Sequence, residues 1–101
     1  MAYLLQLNEE AFKEYTETYE FYELRKQGLG DEFMKAVESR LDKIAKHPEY
    51  YSKVQGNYRQ VKVSNFPYVI VYEIFKQKQI VHIAAIFHGK RNPTLKYRKL
   101  E

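Results

Sequence analysis

The chain has 101 residues, 45% of them apolar and 30% charged, a composition that can bury a core and excludes a disordered tail. Seventeen Lys and Arg against thirteen Asp and Glu leave a formal charge of +4, which points toward anionic or acidic partners. The lack of cysteine excludes disulfides, thiolate metal sites and thiol catalysis, and no apolar run approaches the ~20 residues that cross a bilayer. One domain spanning 1–101 is expected, with a basic tail over 91–101. Nothing at the N-terminus has the form of a signal segment, so a cytoplasmic protein without a membrane partner is expected.

"YLLQL" at 3–7 reads as a short strand. Asn8 followed by Glu9 and Glu10 is a helix start, an Asx side chain for the orphan amides and then carboxylates in the positive first turn. Along that helix Phe12, Tyr15, Tyr19 and Tyr22 recur at spacings of three and four, which predicts an aromatic core stripe. "QGLGDEF" at 27–33 breaks the pattern: Gly28 suits the left-handed backbone after a helix, and Gly30 or Asp31 opens the next. The second helix carries Phe33, Val37, Leu41 and Ile44 on one face and ends at His47 and Pro48. So short a connection makes the two helices antiparallel.

After a tyrosine-rich turn over 48–57, "YRQVKVS" at 58–64 alternates, with Val61 and Val63 on one face and Lys62 on the other. Arg59 shares the valines' parity, an odd place for a cation. Pairing with Glu73 would make it structural; left free beside Arg91, it would add to an anion site. "PYVIVYEIF" (67–75) and "QIVHIAAIF" (79–87) are apolar at both parities and read as central strands joined by a hairpin at "KQKQ". The fold class is therefore α+β in the order β-α-α-β-β-β, two antiparallel helices packed on a mostly antiparallel sheet.

"AAIFHGKRNP" at 84–93 ends the last strand in a histidine, a glycine and two cations. Arg91 offers a planar fork for phosphate or carboxylate and Lys90 a point charge, so an anion-binding rim is expected there. Strict alternation from Ile80 puts His82 and His88 on one face. His82 reads as a hydrogen-bonded core residue and His88, at the strand end, as the better acid–base candidate. Six strand residues separate the two histidines by ~20 Å, too far to share a metal ion. No nucleotide-binding, zinc-protease or serine-hydrolase motif occurs, and neither a cofactor nor a metal is expected.

The passages "YEL…GLGDEF", "IAKHPEYY", "YRQVKVSNFPYVIVYEI" and "IFHGKRNP", in this order, resemble the RelE/ParE superfamily, the toxins of type II toxin–antitoxin (plasmid stabilisation) modules. The resemblance covers about Asn8 to Pro93. It implies growth inhibition, neutralisation in a hetero-oligomer with a cognate antitoxin, and one of two targets: DNA gyrase in ParE-like members, ribosome-bound mRNA, cut without a metal, in RelE-like ones. A third possibility is a non-toxic binding module. For the nuclease, the resemblance implies Arg59, Lys62, His88, Arg91 and Tyr97 as candidate catalytic residues. RelE-like nucleases commonly carry an arginine where this chain has Val69, and "FPY" (Phe66–Tyr68) and "HGKRNP" look more ParE-like.

Overall fold

A computed structural model describes residues 2–89. Asn8 caps the first helix as its position requires: its side chain accepts from the Glu10 amide at 2.8 Å, where β1 (Leu4–Leu7) gives way to α1 (Glu9–Arg25). Gly28 takes a positive φ of 89° and α2 (Leu29–Lys46) runs back along α1. The Glu23 carboxylate accepts from the Gly28 and Gly30 amides at 2.9 and 3.0 Å, supplying the N-terminal cap that glycine cannot. Gly30 is a close-approach site, because a Cβ there would lie 2.6 Å from the Tyr19 carbonyl oxygen.

The sheet-facing seam of α1 differs from the aromatic stripe. Ala11 and Thr18 are buried and Tyr15 and Tyr22 pack on the core, whereas Phe12 is 55% exposed and Tyr19 turns its hydroxyl to Asp31 at 3.0 Å. The helix therefore lies with its small residues inward, where it passes closest to its neighbours. Phe33, Val37 and Ile44 of α2 are fully buried as their spacing predicts, and Leu41 packs against them. Phe33 meets the rings of Tyr22, Phe66 and Tyr68 at 5.5, 5.3 and 5.3 Å, an aromatic knot that joins both helices to the sheet.

Four further strands follow: β2 (Lys53–Gln55), β3 (Tyr58–Lys62), β4 (Tyr68–Phe75) and β5 (Ile80–His88). The sheet order is β1-β5-β4-β3-β2, antiparallel except where β1 pairs parallel with β5. The two doubly apolar segments are thus central, and the expected element order holds with β2 as an addition. That edge strand is three exposed residues with a register shift, too short to leave a periodic signal inside the tyrosine-rich turn.

One irregularity decides the sheet's chemistry. Val71 pairs with Ala85 but Tyr72 pairs with Ile83, so Ala84 is an extra residue, a β-bulge. Side chains on β5 change face at that point. Ile83 and Ile86 both reach the helix-side core, which strict alternation forbids.

Candidate functional site

The bulge separates the two histidines. His88 pairs with core Tyr68 on the helix side, ring centroids 5.4 Å apart, whereas His82 pairs with Glu73 on the opposite, open face. The expectation of a shared face is therefore corrected. His82 is a half-buried residue whose Nδ1 lies 3.5 Å from a Glu73 carboxylate oxygen, beside the Phe75 ring.

Arg59 lies on the helix side, in register with Tyr72, and Glu73 faces the other way. The pairing of Arg59 with Glu73 is excluded by the pleat itself. Instead the guanidinium donates to the carbonyls of Tyr51 at 2.6 Å and Glu49 at 3.4 Å, holding the turn that follows α2. The same turn is tied to β4 by the Tyr72 hydroxyl, which donates to the Pro48 carbonyl at 2.6 Å. Burial pushes the Tyr72 phenol up to about 12, against the opposing pull of Arg59.

Lys62 lies on the open face and is exposed, opposite Val69, which in turn pairs with Phe87. Its strand end is held from the helix layer. Arg40 of α2 donates to the Lys62 carbonyl at 3.0 Å and to the Ser64 hydroxyl at 2.8 Å. Arg40 flanks the seam formed by Val37, Leu41 and Ile44, and that flanking position was the one signal of its role in the sequence. Val69 is buried, and a Cβ on Gly89 would come within 3.1 Å of its Cγ2. Gly89 closes the β4–β5 ladder by donating its amide to Pro67 at 2.8 Å. The sheet thus delivers the chain to its rim directly above the Lys62–Val69–Phe87 row.

Of the candidate residues, Arg59 and Lys62 point to opposite faces, and His88 is on the same side as Arg59 but at the far end of β4. Arg91 and Tyr97 lie outside the described residues. Among the described residues, no three His, Asp or Glu side chains are grouped to hold a metal ion. On the face away from the helices, the row below Gly89 combines exposed Lys62 with buried Val69 and half-buried Phe87.

The fold has solved counterparts. The E. coli toxin RelE, as an arginine double mutant in the free state, superposes with a TM-score of 0.72 at 21% identity, covering 98% of this chain and 94% of that one. The RelE–RelB complex of E. coli gives 0.70 at 22% identity over 89% of this chain and 100% of that one, and the chromosomal ParDE system of P. aeruginosa 0.71 at 11% over 86% and 96%. A comparison with curated proteins yields no match. The profile of the ParE toxin of the type II toxin–antitoxin system parDE matches residues 5–93, and the chain belongs to that family of toxins.

Proposed function

We propose that this toxin acts by binding rather than by cleavage, as an inhibitor of DNA gyrase, and that a cognate antitoxin neutralises it in the cytoplasm. The observation that carries this reading is the placement of the two cations of β3, Arg59 and Lys62, and the lack of any cation on β4. Cutting RNA without a metal requires several fixed positive charges around the scissile phosphate. Here Arg59 is turned to the helix side and held by backbone carbonyls, and buried Val69 stands where RelE-like nucleases commonly have arginine. Lys62 is left as the one described cation of the row beneath Gly89.

The test places the purified chain in two assays, supercoiling of relaxed plasmid by gyrase and translation of a reporter mRNA in a cell extract. Loss of supercoiling with intact mRNA is the expected result. Cleaved mRNA, abolished by Arg91→Ala or Lys62→Ala, would replace this reading with the RelE-like one, and normal growth on expression of folded protein would replace both with a binding module.

A further inference from the structure

β1 is an edge of the sheet, and its ladder fixes which way its peptide groups point. The Leu4 amide donates to the Gln79 carbonyl at 3.0 Å and the Asn8 amide to the Ile83 carbonyl at 3.0 Å. In a parallel ladder of that register Leu4, Gln6 and Asn8 direct their main-chain groups to β5, while the amides and carbonyls of Leu5 and Leu7 face outward. The Tyr3 amide has the same outward parity, but the Ala45 carbonyl at the end of α2 accepts from it at 2.8 Å. The four outward groups of Leu5 and Leu7 have no strand beside them among the described residues.

The two edges of the sheet differ. β2, at the other edge, carries Lys53 and is interrupted by a register shift, and both features discourage further pairing. β1 has neither: Leu4–Leu7 is uncharged and regularly paired, and Leu4 is 64% exposed. Charge is found instead at the two ends of β1 and is opposite in sign. Glu9 and Glu10 are exposed where β1 passes into α1, whereas the last turn of α2, which meets β1 at Tyr3, carries Lys43 and Lys46 beside the single carboxylate of Asp42.

We propose that β1 pairs antiparallel with β1 of a second copy of this chain, joining two five-stranded sheets into one. The outward groups set the register. Leu5 opposite Leu7 of the second copy, and Leu7 opposite its Leu5, exchange four main-chain hydrogen bonds about a twofold axis at Gln6. Setting Leu5 opposite Leu5 would instead bring Leu7 against Tyr3, where the end of α2 already occupies the edge. The favoured register also places Glu9 of each copy opposite Tyr3 of the other, so the acidic start of one α1 meets the basic end of the other α2. A second copy thus supplies both the strand and the matching charge, which an unrelated peptide would not. On the helix side leucine faces leucine, and on the open face the two Gln6 residues stand about 4.5 Å apart at their Cα atoms. So short an edge makes a small interface and a weak, concentration-dependent dimer. Both open faces, each with its Lys62, then lie on one side of the joined sheet. The pairing does not depend on which cellular target the chain has.

Sedimentation velocity of the purified full chain over a concentration series tests the pairing, together with substitutions at Gln6, an exposed side chain whose replacement leaves the core untouched. Thermal melts verify that each variant is folded. The chain should pass from monomer to dimer as its concentration rises. Gln6→Lys, which sets two like charges side by side at the twofold axis, should raise the dissociation constant about tenfold. Because the chain has no cysteine, Gln6→Cys offers one thiol per copy. At a Cα spacing of about 4.5–5.5 Å that thiol should form a disulfide-linked dimer on addition of diamide, at concentrations where Glu20→Cys, exposed on α1, stays monomeric. A chain that remains monomeric at its highest soluble concentration, a dimer that Gln6→Lys leaves intact, or cross-linking no faster with Gln6→Cys than with Glu20→Cys would each overturn the proposal.

Discussion

Tyr72 and Pro48 are joined by a 2.6 Å hydrogen bond from a fully buried phenol in the middle of the sheet to the carbonyl just past the end of α2. A few residues on, the Tyr51 hydroxyl is also buried but has no hydrogen-bond partner among the described residues. Two chemically identical groups in one turn thus stand on opposite sides of the balance between desolvation and bonding. Tyr72→Phe should lower stability by about 1–2 kcal/mol, since it strands a buried carbonyl. Tyr51→Phe, which removes an unpaired polar atom, should be neutral or slightly stabilising. Urea denaturation of the two variants side by side checks the contrast, and equal losses would contradict it.

Alkaline pH tests Tyr72 together with Tyr15 of α1. Burial raises the phenols of Tyr72 and Tyr15 from the ordinary 10.0 to about 12, with Glu38 adding to the effect at Tyr15. The folded chain therefore keeps these protons after the unfolded chain has lost them. Their contribution to stability is complete below about pH 10 and is lost as the pH rises toward about 12. Absorbance of tyrosinate followed alongside denaturation midpoints should show the Tyr72 and Tyr15 phenols titrating last, after Tyr19, which its hydrogen bond to Asp31 also raises, and falling stability in that window.

The junction of the helices rests on Glu23 and Gly30. Glu23→Gln keeps the shape of the cap but removes the charge that accepts from Gly28 and Gly30, and should cost about 1 kcal/mol. Gly30→Ala places a methyl group 2.6 Å from the Tyr19 carbonyl and should cost more, about 1–3 kcal/mol, by prising α1 from α2. Thermal melts of both variants would show the order, with Gly30→Ala the lower.

The bulge at Ala84 makes a prediction about the histidines. Glu73→Gln should move the ring signals of His82, its partner at 3.5 Å, and leave those of His88 in place, because the two rings are on opposite faces of the sheet. Removing the bulge by deleting Ala84 would instead turn the far half of β5 over. That variant should lose its cooperative transition, since Ile86 would leave the core.

Much of this fold is legible in the sequence. Asn8 with Glu9 and Glu10, the break at Gly28 and the four-residue spacing from Phe33 through Val37 to Leu41 are local signals, and each holds in the structure. The misreadings concern orientation. The spacing of Phe12, Tyr15, Tyr19 and Tyr22 predicts an aromatic core stripe on α1, but close packing puts Ala11 and Thr18 inward and leaves Phe12 at the surface. The shared face of His82 and His88 assumed a regular pleat. Arg59 does not pair with Glu73, because the pleat turns it to the helix side, where backbone carbonyls of the Glu49–Tyr51 turn accept from it.

The sequence by itself determined the elements other than the short edge strand β2, their order and the family resemblance, because capping, periodicity and turn chemistry act over a few neighbouring residues and are written in the chain. The facing of the side chains was decided only in the tertiary structure. One unpaired alanine in β5 reverses every residue beyond it, and a carbonyl brought from a distant turn can satisfy a guanidinium as fully as a carboxylate. Both depend on which backbones come to lie side by side, and spacing along a single strand does not carry that information.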